Sequence, residues 1–166
     1  AAPDAILVPK VSNSGQLEML GRRLLDMGTD RKTRIWAMIE TPFAILNITD
    51  IAAAAKDSET RLSGFVLGTN DLAKETSARL LPGRAPMLPW LTTCVLAARA
   101  YGLAILDGVY NDIADATGFE TECRQGLDFG FDGKTLIHPS QIDVCNVVFA
   151  PTAEEVSRAR AVIAAF

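Results

Sequence analysis

The sequence predicts an α/β fold built on a parallel sheet, and more specifically an incomplete C-terminal portion of a TIM (β/α)8 barrel with about five βα units. Five short runs of apolar, mostly branched residues each end in a polar or glycine-containing tip, and a helical pattern follows each. Successive runs start about 30 to 40 residues apart, which is the length of one strand plus one crossover helix. The runs are nearly continuous rather than alternating, as is typical of parallel strands covered on both faces.

The predicted strands are 5–10, 35–40, 65–68, 103–107 and 133–138. A GxGxxG fingerprint after the first strand would favour a dinucleotide-binding sheet, and the sequence has none. One polar residue follows each strand instead, as in a barrel whose site is built from many βα loops. Five units are too few to close eight strands, and the chain begins almost inside a strand without a methionine. We therefore expect residues 1–166 to form a single domain, a partial barrel that lacks its N-terminal strands.

The helices between the strands are predicted from apolar residues that recur every three or four positions. They are expected after Ser14, after Pro42 through Lys56, from Pro89 to Gly102, over 120–127, and after Thr152. The apolar faces are expected at Leu17, Leu20, Leu24 and Leu25 in the first helix, at Leu91, Val95 and Ala98 in the third, and at Val156, Ala159, Ile163 and Phe166 in the last.

Two local patterns add to this assignment. Thr152 with Glu155 forms a capping box at the start of the last helix. The segment 80–86 is the one loop long enough to suggest a lid or a contact between subunits.

Composition limits the class of protein. The 166 residues are 49% hydrophobic with a formal net charge of −4, and the basic residues are scattered, so nucleic-acid binding is not expected. No apolar run approaches the roughly 20 residues of a membrane helix, and residues 1–4 do not begin a signal peptide. Three widely spaced cysteines without CxxC spacing argue against disulfides and zinc. We expect reduced, buried thiols and a cytoplasmic location.

One polar residue is predicted at the C-terminal tip of each strand or just beyond it, and these residues are Lys10, Glu40, Asp71, Asp107 and His138. Because the tips of parallel strands share one rim with neighbours about 5 Å apart, Glu40 and Asp71 are expected side by side. Two adjacent carboxylates repel each other unless a proton or a cation lies between them. Mg²⁺ prefers such a ligand set, and a general acid/base pair is the alternative.

Each tip residue also has a purely structural interpretation. Glu40 or Asp71 could cap the helix that follows it, and Asp107 before Gly108 could form a common turn. Lys10 could be an ion-pair partner of Glu40 at the rim. His138, the only histidine, is expected to be structural rather than a ligand or a base.

The same residues resemble the citrate lyase beta-subunit family, with its malyl-CoA and citramalyl-CoA lyase relatives among the pyruvate-type aldolases. The motifs that carry the resemblance extend in order along nearly the whole chain. They are Val8-Pro9-Lys10-Val11, Ile39-Glu40-Thr41-Pro42, Leu67-Gly68-Thr69-Asn70-Asp71-Leu72, Asp107-Gly108-Val109-Tyr110, and Gly130-Phe131-Asp132-Gly133-Lys134 with Ile137-His138-Pro139 and Gln141.

The resemblance implies a TIM barrel that cleaves a 3-hydroxyacyl-CoA into an acyl-CoA and a 2-oxo acid, or condenses them. It implies that Glu40 and Asp71 bind Mg²⁺ as the cofactor. It also implies that the backbone amides of Gly68, Thr69 and Asn70 hold the carboxylate of the acid, in agreement with an anion-binding loop after a strand. Lys10 is a further candidate for contact with the substrate.

The sequence also departs from the family. An arginine for the substrate oxygens and another acidic residue are expected in the missing first strands, and a catalytic aspartate in a C-terminal extension. The catalytic proton-transfer groups are therefore expected outside this chain.

The leading hypothesis is a Mg²⁺-dependent carbon–carbon lyase, an oxo-acid-lyase, acting on a CoA or acyl-carrier thioester. The alternatives are an aldolase acting on free hydroxy-oxo acids and a non-catalytic subunit or scaffold. A homo-oligomer, a trimer or higher, is expected from the resemblance.

Overall fold

The five strands pair side by side in the order in which they occur in the sequence, and all four pairings are parallel. The computed structural model describes residues 3–166, so Ala1 and Ala2 of the opening segment lie outside the described residues. The strands are β1 (Ala5–Val8), β2 (Arg34–Ile39), β3 (Leu62–Leu67), β4 (Ala104–Asp107) and β5 (Gly133–Lys134). The predicted α/β fold with a parallel sheet is confirmed. The strand order never reverses among these residues, so this sheet lacks the switch point of a doubly wound fold.

The last strand is much shorter than predicted. It ends at Lys134, the last residue that pairs with β4. The amide of Thr135 donates to the carbonyl oxygen of Asp107 at 3.0 Å as part of that pairing, and its hydroxyl donates to the same oxygen at 2.9 Å. The chain then leaves the sheet and forms a short 3₁₀ helix, Pro139–Gln141. The prediction that His138 lies at the tip of a strand was therefore wrong.

Eight α-helices follow or connect the strands in the described chain. They are α1 (Ser14–Asp26), α2 (Pro42–Leu46), α3 (Ile48–Ala53), α4 (Thr69–Thr76), α5 (Leu88–Ala100), α6 (Ala116–Phe129), α7 (Ile142–Phe149) and α8 (Ala153–Ala165). The expected single helix from Pro42 to Lys56 was wrong in detail, since it breaks at Asn47, whose side chain donates to the carbonyl of Ser12 at 3.0 Å. The sequence analysis gave no bounds for α7, the helix that follows the fifth run.

The main core lies between the sheet and the helices that cover it. The inward-facing side chains of the central strands are fully buried, among them Ile35, Ile39, Phe65, Leu67 and Ile105. The predicted inward residues of α5 are also buried, namely Leu91, Val95 and Ala98. In α1, Leu17 and Leu24 are buried but Leu25 is exposed, so the predicted apolar face was one residue too wide.

The last helix has the predicted start but not the predicted packing. The amide of Thr152 donates to the carboxylate of Glu155 at 2.7 Å, and the amide of Glu155 donates back to the hydroxyl of Thr152, which confirms the capping box. No residue of α8 is buried, and Ile163 is 76% exposed. The predicted apolar face therefore packs against little of the described chain.

The three cysteines are free and buried, as predicted. Cys94 lies in the main core, whereas Cys123 and Cys145 lie in a smaller cluster with Phe119 and Val148. Burial raises the pKa of the Cys94 thiol to about 12. Within residues 3–166, no helix is both long enough and apolar enough to cross a membrane.

Candidate metal and carboxylate site

Glu40 directly follows β2 and is only 6% exposed at the rim of the sheet. Its carboxylate oxygen Oε1 accepts a hydrogen bond from the backbone amide of Lys10 at 2.8 Å. Gly68, which follows the neighbouring strand β3, lies directly against it. A Cβ atom at position 68 would clash with the Cβ atom of Glu40 and would lie 2.8 Å from its Oε2 atom. Glycine at this position therefore makes room for the Glu40 side chain.

Asp71 is the third residue of α4, the helix that begins after β3. Its Oδ2 atom accepts a hydrogen bond from the ammonium of Lys10 at 2.8 Å, and the same ammonium donates to Glu75 at 3.3 Å. The hydrogen bond from Lys10 lowers the pKa of the Asp71 carboxyl. Glu40 and Asp71 thus contact the same residue, Glu40 through the amide of Lys10 and Asp71 through its ammonium.

The structure also decides among the structural alternatives. Thr41, not Glu40, caps α2, because its hydroxyl accepts from the amide of Ala44 at 3.0 Å. The N-cap of α4 is Gly68, so Asp71 is not a capping residue. Lys10 does contact Glu40, but through its backbone, and its ammonium pairs with Asp71 instead.

The donor set is compatible with Mg²⁺. No group of three or more histidine, cysteine, aspartate or glutamate side chains is placed to hold a metal ion in the described part of the chain. Zinc and calcium sites usually take more protein ligands than the two carboxylates of Glu40 and Asp71. Mg²⁺ typically uses one or two carboxylates and completes its octahedron with water and substrate oxygens. Glu40 and Asp71 would hold such an ion.

The backbone amides that follow β3 are of two kinds. That of Gly68 is already hydrogen-bonded, whereas those of the next residues lie in the first turn of α4. The amide of Gly68 donates to the carbonyl oxygen of Ile39 at 3.0 Å, so it is engaged within the sheet. Thr69, Asn70 and Asp71 are the first three residues of α4, and the first amides of a helix have no partner within that helix. These three amides, together with the positive end of the helix, can receive a carboxylate.

The loop that follows β4 packs against the loop 68–70 and holds it in place. The side-chain amides of Asn70 and Asn111 bond reciprocally at 2.9 and 2.8 Å. A Cβ atom at Gly108 would clash with the side chain of Thr69 and lie 3.0 Å from the carbonyl of Leu67. The side chain of Asn70 is thus part of the loop framework, which leaves its backbone amide as the group that can face a ligand.

Asp107 is not a free carboxylate of the rim. It is fully buried, and both of its oxygens accept hydrogen bonds from Nη1 of Arg84, at 2.7 and 2.8 Å. The buried ammonium of Lys134 donates to Asp107 at 3.0 Å and to Glu122 at 2.7 Å. These four residues form a buried ion network that connects β4, β5, α6 and the segment 80–86, so the structural interpretation of Asp107 is the better one.

His138 likewise has a structural role. Its ring nitrogen Nδ1 accepts from the amide of Ser140 at 3.2 Å and caps the 3₁₀ helix Pro139–Gln141. The expectation that this histidine is structural is supported by this contact.

Sequence reasoning missed Arg84, Glu122 and Lys134 as partners in the network. Lys134 gave the one usable signal, since a lysine inside a strand predicted to be buried needs a carboxylate partner. Arg84 lies in the suspected lid with a positive φ of 56°. Its pairing with Asp107 ties the C-terminal end of that loop to β4, and a contact between subunits there stays a prediction.

A cavity of about 660 Å³ opens between the segment 80–87 and the loop after β4. Thr69 reaches its edge, and its walls include Leu81, Met87 and Tyr110. The charged groups on its wall are either acidic or, like Arg84, already paired. The cavity therefore suits an uncharged part of a ligand better than an anionic one.

Comparison with known proteins places these features in a family. A profile of the HpcH/HpaI aldolase/citrate lyase family matches residues 1–139. The chain is 49% identical over 166 residues to a (3S)-malyl-CoA thioesterase of Cereibacter sphaeroides, covering 100% of this chain and 54% of that protein. It is 33% identical over 173 residues to the citrate lyase subunit beta of Leuconostoc mesenteroides subsp. cremoris, covering 99% of this chain and 55% of that protein. The chain thus spans about half the length of the curated relatives it matches.

Solved structures give the same result. RipC from Yersinia pestis superimposes with a TM-score of 0.84 at 30% identity, covering 94% of this chain and 68% of that one. The citrate lyase beta subunit of Mycobacterium tuberculosis, complexed with oxaloacetate and magnesium, gives a TM-score of 0.74 at 30% identity over 90% of this chain and 63% of that one. CitE from the same organism, in complex with magnesium, acetoacetate and coenzyme A, gives 0.75 at 31% identity, covering 98% of this chain and 57% of that one. The chain belongs to the HpcH/HpaI aldolase/citrate lyase family.

Proposed function

We propose that the full-length protein is a Mg²⁺-dependent lyase that cleaves the carbon–carbon bond of a 3-hydroxyacyl-CoA of the citryl, malyl or citramalyl type, or forms that bond in reverse. The observation that carries the proposal is that Glu40 and Asp71 both contact Lys10 beside the N-terminus of α4. Magnesium, a 2-oxo acid and coenzyme A in solved structures of relatives support it.

The chemistry needs three things from a protein. The substrate hydroxyl must lose its proton, the bond between the carbinol carbon and the carbon next to the thioester must break, and the electron pair must pass to the thioester as an enolate. Protonation of that enolate gives the acyl-CoA, and the former carbinol becomes the carbonyl of the 2-oxo acid. When bound, Mg²⁺ supplies Lewis-acid polarisation of the oxygen on that carbon.

The residues of this chain would serve binding and orientation. Glu40 and Asp71 hold the metal ion, and the backbone amides of Thr69 and Asn70 receive the carboxylate of the 2-oxo acid. Gly68 contributes by letting Glu40 approach rather than by donating its own amide. Lys10 remains a proposed substrate contact, and the groups that move protons are proposed to lie outside these 166 residues.

The remaining parts of the proposal concern the whole protein. The sequential order β1 to β5 supports closure into a (β/α)8 barrel by strands that precede Ala1. We further propose a cytoplasmic homo-oligomer, a trimer or higher, that takes a CoA or acyl-carrier thioester. No nucleic acid or membrane is proposed as a partner.

A second candidate is hydrolysis of the thioester. The observation that favours it is the 49% identity to a (3S)-malyl-CoA thioesterase. In this reaction water attacks the thioester carbonyl, the carbon–sulfur bond breaks, and the free hydroxy acid and CoA are released. The same carboxylate-binding loop would serve both reactions.

Products distinguish the candidates. The full-length protein is incubated with malyl-CoA and Mg²⁺, and the products are separated by chromatography. A lyase yields acetyl-CoA and glyoxylate, whereas a thioesterase yields malate and free CoA. Release of acetyl-CoA and glyoxylate that continues unchanged in excess EDTA would contradict the Mg²⁺-dependent lyase. Turnover of only a free 4-hydroxy-2-oxo acid would indicate the aldolase alternative, and no turnover of either substrate class would favour a scaffold.

A further inference from the structure

One residue, Lys10, touches both proposed metal ligands. Its backbone amide donates to Glu40 at 2.8 Å and its ammonium donates to Asp71 at 2.8 Å and Glu75 at 3.3 Å. Its φ of 54° lies in the left-handed region, which non-glycine residues seldom adopt. In this backbone conformation the amide of Lys10 points to Glu40 while its side chain reaches Asp71.

The carboxylates around Lys10 repel one another unless a cation lies between them. Glu40, Asp71 and Glu75 bring three carboxyl groups to one edge of the sheet, and the ammonium of Lys10 is the cation in hydrogen-bond contact with two of them. An exposed ion pair contributes little stability by itself. Its position matters more, because the ammonium lies against the carboxylate that a metal ion would need.

A divalent ion and this ammonium would compete. A Mg²⁺–oxygen distance is about 2.1 Å, so an ion on Asp71 and an ammonium on the same carboxylate would lie roughly 5 Å apart. Repulsion between a double and a single positive charge at that distance is unfavourable even in a water-like dielectric, so the two cations are not expected to share Asp71.

We propose that the ammonium of Lys10 is the resident counter-cation of the Glu40–Asp71 site and that it leaves Asp71 when a divalent ion binds. The inference rests on the proposed function, since it needs the metal at these two carboxylates. In the metal-free protein Lys10 keeps the site assembled. Its backbone bond to Glu40 does not depend on the side chain and persists after the exchange.

Calorimetric titration of the full-length protein with Mg²⁺ tests the exchange. Lys10→Met keeps the backbone amide and an unbranched side chain of similar length but removes the charge. Its affinity for Mg²⁺ is expected to rise by up to about fivefold, because the metal ion no longer has to displace an exposed ion pair. Lys10→Arg keeps the charge and is expected to bind Mg²⁺ as the unaltered protein does. The difference between Lys10→Met and the unaltered protein is expected to shrink as the salt concentration increases.

A matched control separates contact from general electrostatics. Lys74 is an exposed lysine on α4 whose charge lowers the pKa of Asp71 without a hydrogen bond between the two side chains. Lys74→Met removes the same charge and is expected to change the affinity for Mg²⁺ much less than Lys10→Met does.

The melting temperature provides a second readout. Lys10→Met is expected to lower the melting temperature without metal, and saturating Mg²⁺ is expected to abolish that difference. Equal or weaker Mg²⁺ binding by Lys10→Met would overturn the inference while leaving the proposed function intact. No Mg²⁺ binding by the unaltered protein would contradict the proposed function and the inference together.

Discussion

At the scale of single residues, the candidate site depends on the absence of a side chain at Gly68. The Cβ atom of any other residue would meet the Cβ and carboxylate atoms of Glu40. Glu40 is nearly buried and is held by the amide of Lys10, so it has little room to move aside. The glycine at position 68 is thus explained by the space that Glu40 needs.

Gly68→Ala is therefore expected to displace Glu40. We expect a loss of about 1–3 kcal/mol in the free energy of unfolding, as for other overpacked positions, together with weaker Mg²⁺ binding. Gly15→Ala is the matched control, because its Cβ atom would lie 3.4 Å from the side chain of Asn13, an ordinary contact. Urea unfolding and Mg²⁺ titration of both variants check this. Equal affinity for Mg²⁺ in Gly68→Ala and Gly15→Ala would show that the approach of Glu40 does not matter.

At the scale of elements, the buried ion network holds the C-terminal end of the sheet together. Asp107 of β4 forms ion pairs with Arg84 of the segment 80–86 and with Lys134 of β5. Lys134 also forms an ion pair with Glu122 of α6. Nη2 of Arg84 is buried without a hydrogen-bond partner among the described residues. A network that is already incompletely satisfied should be sensitive to the loss of its central carboxylate.

Asp107→Asn is expected to lower the free energy of unfolding by about 3–5 kcal/mol, because Arg84 and Lys134 would keep buried charges with one carboxylate fewer. Glu59→Gln is the control, since it removes one partner of the exposed pair between Arg31 and Glu59 and should cost at most about 1 kcal/mol. Denaturant unfolding measures both. Similar losses in the two variants would mean that burial of the network does not add to its effect.

The elements also show which parts of the fold were predictable. Glu40 and Asp71 come to the same edge of the sheet because each follows a buried strand, and neighbouring parallel strands end at one edge. His138 was misplaced because an apolar run continued past the last pairing residue, Lys134. The pairing of Arg84 with Asp107 depends on contacts across 23 positions of sequence and on a left-handed backbone, which no local pattern indicates.

At the scale of the whole molecule, the reactivity of the three buried thiols measures how often the protein unfolds. Cys94 belongs to the main core and Cys123 and Cys145 to the smaller cluster, so the two packing units are both represented. Burial raises the pKa of the thiols of Cys94 and Cys123 to about 12, and it raises that of Cys145 as well. The reactive thiolate is accordingly scarce in the native protein at neutral pH.

We expect a thiol reagent such as 5,5′-dithiobis(2-nitrobenzoate) to modify the native protein slowly, and all three cysteines promptly in denaturant. The unfolded thiols ionise near pH 8.5 whereas the folded ones do not, so the free energy of unfolding is expected to fall as pH rises above about 8.5. Thiol-to-alanine variants are compared over pH 7–10 by denaturant unfolding. Rapid modification of native Cys94 at pH 8 would contradict the burial on which this prediction depends.

The central claim is that Glu40 and Asp71 together hold a divalent ion. Titration of the full-length protein with Mn²⁺, followed by electron paramagnetic resonance and competed with Mg²⁺, tests it most directly. We expect one site in the unaltered protein, and at least a tenfold loss of affinity in Asp71→Ala and in Glu40→Gln. The variant Asp26→Asn, which removes an exposed carboxylate at the end of α1, should bind as the unaltered protein does. Unchanged affinity in Asp71→Ala would contradict the claim.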